Sequence, residues 1–252
     1  MQKLKPYLMF LLSTSITNCI THQEAFDIGN KSYAYAYPLM FMSVARNIML
    51  KQSSINQFNR ISTAWLDVSK SPVILSVPEN PKVEITDTWM NTVLFPAGSK
   101  TYAFVEKNWQ SDLPKAFKKI IAPTNNLYLK IAGNADEYRL STWKNSFDID
   151  EPCWSVSEFI APEKQIKNMD AKTFFGMFAH ELKNNPPQKI NSKILKQLKK
   201  IGFEIGKDFD ARKLPMEILK SLELGMEQAR KEMHDQSNLI KRTFSTDCSY
   251  SV

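Results

Sequence analysis

The sequence predicts an α+β fold: an N-terminal helical segment, a central antiparallel β-sheet or sandwich, and C-terminal helices. Three observations predict it. Apolar residues recur at helical spacing from 24 to 51, the period shifts to short β-rich runs between about 62 and 140, and capped helical segments return from about 170 to 234.

In the first segment Ala25, Ile28, Tyr33, Tyr37, Met40, Val44 and Ile48 mark one face, and Pro38 is expected to break or kink it into two helices or one bent one. Tyr33, Tyr35 and Tyr37 fit core packing better than a base-stacking platform. Runs at 62–68, 72–77, 82–86, 88–94 and 101–106 are rich in Val, Ile, Thr and aromatics, separated by Ser69-Lys70-Ser71, Pro78-Glu79-Asn80-Pro81 and Pro96-Ala97-Gly98. They predict an antiparallel meander, extended by strands at 127–132 and 137–140 around a Gly133-Asn134 turn. Asp170 is placed to cap a helix lined by Phe174, Phe178 and Leu182 and stopped at Pro186-Pro187. Asn191 or Ser192 caps the next, which faces Ile194, Leu198 and Ile201 inward and ends at Gly202. A last helix runs from about Pro215 to His234, followed by a polar tail over 235–252.

Chain length, 252 residues with 43% hydrophobic and 23% charged, excludes wholesale disorder. The formal charge of +7 divides unevenly: Lys3 and Lys5 at the start, 14 basic against 14 acidic residues over 23–162, and 17 against 12 over 163–252. That excess is spread over helices with acids interleaved and lacks the pattern of a nucleic-acid module, so no nucleic-acid partner is expected.

Residues 1–19 read as an export signal: a basic start, an apolar core from Tyr7 to Leu12, small polar residues, then Cys19. Ile16 and Thr17 suit a lipoprotein signal, although Asn18 stands where a smaller residue is usual. Cys19 is therefore the lipidation candidate, and the expected location is the periplasm or the outer membrane, with the membrane met through a lipid anchor. Export would allow a bridge between Cys153 and Cys248, with two free thiols as the alternative.

Chemical motifs are sparse. The histidines are His22, His180 and His234, and none has a nucleophile at motif spacing. No Cys-x-x-Cys or His-Glu-x-x-His occurs, Asp148-Ile149-Asp150-Glu151 lacks the glycine and distal glutamate of a calcium loop, and glycine-rich phosphate loops are missing, so no metal and no cofactor is expected. Catalytic residues stay unassigned, and whether the chain is an enzyme stays open.

The order and spacing of several short motifs resemble the bacterial family of domain of unknown function 1254. They are Tyr37-Pro38-Leu39, Asn56-Gln57-Phe58, Ala64-Trp65-Leu66-Asp67-Val68, Val73 through Pro78, Asp87-Thr88-Trp89-Met90-Asn91, Ala122-Pro123-Thr124, Asn185-Pro186-Pro187, and Gly202 through Asp210. The resemblance implies one domain over 23–234, helices flanking a β-sandwich and an envelope setting, with no catalytic residues to carry over. It also implies a truncated member lacking the usual second domain of unknown function, 1214, with contractions at Arg60-Ile61-Ser62-Thr63 and Ala132–Glu137. The leading expectation is an exported binding or structural accessory of the envelope, its partners a small-molecule or envelope ligand and a second copy of the chain. The alternatives are an extracytoplasmic hydrolase using Asp67, Asp87 and Glu106, or a degenerate member without activity.

Overall fold

In the computed structural model the described residues are 20–51, 53–59, 62–132, 134–143, 160–189 and 191–246; Cys19, Cys153, Cys248 and the Asp148–Glu151 segment lie outside them. Thr21 is extended and its hydroxyl accepts from the Glu24 backbone N–H, while the Glu24 carboxylate returns a bond to the Thr21 N–H at 2.9 Å. This capping box starts α1, His22–Leu50. The helix runs through Pro38 without interruption, so one helix stands where two were allowed. Burial of Ala36, Leu39 and Met40 on either side of the proline offsets the lost backbone bond.

Seven strands follow: β1 Thr63–Asp67, β2 Val73–Ser76, β3 Val83–Asp87, β4 Thr101–Val105, β5 Lys118–Ile121, β6 Asn126–Ile131 and β7 Arg139–Thr142. They do not form a meander. One sheet has the order β1-β6-β3 and the other β5-β4-β2-β7, and β5 joins β4 in parallel. Alternation decides the split: Ala64, Leu66, Leu127, Leu129 and Ile85 of the first sheet meet Val73, Leu75, Tyr102, Phe104 and Ile120 of the second in one core. Two sequence expectations fail for local reasons. Residues 88–91 make a turn rather than a strand, because the Asp87 carboxylate accepts from the backbone N–H groups of Trp89 and Asn91 and Met90 takes a φ of 62°, and beyond it Thr92 returns to β3 only as a single bridge to Thr86. The segments either side of Gly133-Asn134 belong to different sheets, so that connection crosses the sandwich instead of turning a hairpin.

Beyond 160 come α2 Pro162–Lys167, α3 Ala171–Asn184, α4 Ser192–Lys199 and α5 Met216–Thr246. Asp170 and Asn191 cap α3 and α4 as expected, and Gly202 holds the positive φ, 77°, that ends the α4 region. Hydrogen bonding to Thr173 keeps the Asp170 carboxyl below its ordinary range. The last helix continues to Thr246, into the segment expected as a tail.

α1 and α5 run side by side in the same direction, since His22 meets Ser221 and Arg230 lies 5.1 Å over the Tyr33 ring. Their backbones touch where each carries a glycine. A Cβ on Gly29 would strike the Leu222 carbonyl, and one on Gly225 the Phe26 carbonyl. Around this crossing Tyr33 stacks on Phe174 at 5.0 Å and Phe178 packs on Phe203, filling a second core separate from that of the sandwich.

Gly225→Ala should destabilise the fold by about 1–3 kcal/mol through overpacking. Gly176→Ala, whose Cβ would meet nothing within 4 Å, should instead gain up to about 1 kcal/mol of helix propensity. Urea unfolding of the two variants checks both signs. The Lys200 ammonium, first, and the Thr21 backbone pull the Glu24 carboxyl from its ordinary 4.5 to about 2. A depressed folded-state pKa contributes stability above the unfolded value, and that contribution is lost as pH falls from about 4.5 toward 2. Glu24→Gln should flatten the acid limb of a pH-dependent melt in that window.

Candidate functional site

The two hydrophobic cores meet at a buried polar junction. Arg46 and Ser43 come from the last turns of α1, Glu181 and Asn185 from the end of α3, and Asn126 from the first residue of β6. Arg46 donates to the Asn126 side-chain oxygen and to Glu181 Oε1, the latter at 3.4 Å. Ser43 donates to the same Glu181 oxygen at 2.7 Å. Asn185 donates to Glu181 Oε2 at 3.3 Å and to Asn126 at 3.1 Å, and accepts from the Asn126 backbone N–H at 2.9 Å. With side-chain exposures of 6% for Arg46 and 1% for Glu181, the pair is shielded from solvent on both sides. Such a network is closed to a substrate and orders its neighbours.

The loops that carry the family resemblance are pinned around this junction. Asn56 exchanges bonds with the Asp67 backbone, accepting its N–H at 2.8 Å. Thr124 accepts from the Thr88 N–H and donates to the Asn126 carbonyl, and the Trp89 indole donates to the Asn185 carbonyl at 2.9 Å. The Trp65 indole donates to Met49 Sδ at 3.3 Å, tying β1 to α1.

The candidate carboxylates are not brought together. Asp67 pairs in register with Asn126 and Asp87 with Leu127, consecutive residues of β6, so the two leave opposite faces of the sheet. Asp87 is fully buried and its oxygens are filled by Trp89, Asn91 and Gln188. Glu106 follows β4 in the other sheet. His180 meets Asn184 at 3.3 Å, and His234 is exposed on α5. His22 Nδ1 does reach Ser221 Oγ at 3.0 Å, a contact the sequence reading lacked. Ser221, however, donates to the Glu217 carbonyl at 3.0 Å, leaving the ring as donor, and no described carboxylate bonds the imidazole. The pair docks two helix starts and does not form an activated nucleophile. Burial raises the phenol pKa of Tyr33, Tyr35 and Tyr37, so they stay protonated as packing groups. Among the described residues no three metal-ligating side chains gather.

Solvent enters an open cleft at the far end of the sandwich, about 670 Å³ in volume, between the 79–82 and 95–102 loops. Half-buried Phe95 forms its aromatic floor, packed on the fully buried Tyr102 with ring centroids 4.2 Å apart, and Glu79, Lys82 and Lys100 stand at its rim. Tyr102 donates to the Pro96 carbonyl at 2.7 Å, which fixes the loop carrying Phe95. The arrangement offers stacking, cations and hydrogen bonds.

An α+β body whose helical layer abuts one end of a two-sheet sandwich, with these pinned loops, defines the class. Residues 54–136 match the model of the family described as protein of unknown function, DUF1254. No curated protein matches the chain. The fold is similar to the crystal structure of the VPA0106 protein from Vibrio parahaemolyticus, with a TM-score of 0.60 at 17% identity over 84% of this chain. The chain spans 59% of that protein's length. No helix among the described residues is long and apolar enough to cross a membrane.

Removing one partner of the buried ion pair should cost about 3–5 kcal/mol, in either Arg46→Met or Glu181→Gln, because the survivor is left uncompensated. The double variant should lose less than the sum. A double-mutant cycle by urea denaturation reads the coupling.

Proposed function

We propose that the protein is an exported binding accessory of the cell envelope, tethered by an acyl group on Cys19 and taking a small ligand into the cleft between the 79–82 and 95–102 loops. The cleft carries the reading: it joins an aromatic floor to a charged rim, whereas the histidines and buried carboxylates elsewhere are engaged in structural contacts. A ligand with a planar or ring face and an anionic or hydroxylated edge suits Phe95, Lys82 and Lys100. The hydrolase alternative loses support from the opposite projection of Asp67 and Asp87.

In bacteria expressing the chain, mass spectrometry of the membrane fraction should recover an N-terminus at Cys19 bearing lipid. An intact Met1 in the cytosol overturns the export reading. Native mass spectrometry should detect a co-purifying small molecule whose affinity falls about 2- to 10-fold in Phe95→Ala, the loss expected when one stacking contact is removed. Turnover of envelope substrates by the purified chain would replace the accessory role with an enzymatic one.

A further inference from the structure

We infer that the α4–α5 end of the helical body is a docking face for anionic lipid headgroups; this rests on the tethered reading above and adds to it which surface meets the bilayer and what chemistry it meets there.

The sequence between 189 and 220 holds nine basic residues against four acids, which accounts for the C-terminal charge excess. Folding concentrates them beside the start of α1. Lys200 closes the end of α4 and binds Glu24 at 2.5 Å, and the first turns of α5 meet His22 through Ser221. Two of the acids are already neutralised, Glu204 by Lys207 and Asp210 by Arg212. Lys193, Lys196, Lys199, Lys213 and Lys220 are exposed and make no ion pair with a described residue. Met216, 68% exposed at the first turn of α5, sets an apolar side chain among them.

Chain geometry then decides which end faces the membrane. Helix α1 begins at His22, three residues after Cys19, and three extended residues reach only about 10 Å. An acyl group on Cys19 therefore holds the first turn of α1 close to the headgroups. Lys200 bonds that turn, and Lys196 and Lys199 lie within about one helical turn of Lys200, on the end of the body where a surface potential that decays over roughly 8 Å at physiological salt acts most strongly. Long lysine stems with charged tips, next to Met216, suit an interface of phosphates above hydrocarbon.

The test uses the full chain with Cys19→Ser, which removes acylation, and cosedimentation with vesicles of phosphatidylcholine alone or with about 30% phosphatidylglycerol. Binding to the anionic vesicles is expected, with little to the neutral ones. It should fall at least about tenfold in K196E/K199E and in about 0.5 M salt, and stay unchanged in K107E/K115E, which makes the same charge change on the sandwich. Circular dichroism verifies that both variants are folded. Equal loss in the two variants, equal binding to neutral vesicles, or no binding would overturn the inference. So would retention of RNA with the same lysine dependence and no vesicle binding. Vesicle binding needs no export, so an intact cytosolic Met1 removes the tether reading alone, whereas failed binding by a chain found acylated at Cys19 removes the docking face alone.

Discussion

The buried pair of Arg46 and Glu181 is the constraint on which the arrangement of the molecule depends. Each hydrophobic core is complete in itself, one among helices and one between sheets, and apolar contact alone is non-directional. The junction supplies direction. Arg46 can satisfy both Glu181 and Asn126 only if α1, α3 and the head of β6 hold one mutual orientation. Taking two charges out of water is costly, so the pair contributes less to net stability than to excluding other placements of the sandwich. Asn185 strengthens that selection by reading both the side chain and the backbone of Asn126.

This junction sits between the capped start of α1 and the cleft at the far end of the sandwich. A 29-residue helix is about 44 Å long, so α1 separates its capped start from the sandwich by nearly that distance. Asp87 closes β3 beside the junction, whereas Lys82, just before the same strand, lines the cleft. Five strand residues span about 17 Å. The glycine crossing of α1 with α5 keeps the long helix braced along part of this distance, since backbones in contact leave little room for sliding. The capped start of α1 at one pole and the cleft at the other are thus joined by rigid elements and one ordered polar contact.

Much of the fold was legible because local rules and tertiary packing agreed. Asp170, Asn191 and Gly202 cap or end helices as their chemistry requires, and six predicted strands lie within a residue or two of those observed. The pairing was not legible, because alternation shows that Leu127 and Leu75 face a core without saying that they come from facing sheets. The strand expected at 88–94 failed because its β-rich composition was overridden by the neighbouring Asp87, whose carboxylate gathers the backbone into a turn. Arg46 and Glu181 were missed, yet a signal existed. Glu181 stands seven residues after Phe174 and three after Phe178, and Arg46 seven after Leu39, so each is a lone charge on an apolar stripe, of opposite sign.

The family match covers residues 54–136, whereas the fold similarity extends across 84% of the chain at 17% identity. Residues 54–136 span β1 to β6, where identity is tied to side chains that bond backbone: Asn56 to Asp67, Asp87 to Asn91, Thr124 to Asn126. Such bonds need a short polar side chain at each of these positions. The helices need only apolar stripes, small residues at the crossing and caps, requirements that many sequences meet. The polar residues of the matched region thus fix how its loops are held, and the open cleft lies at the opposite end of β3 from the junction.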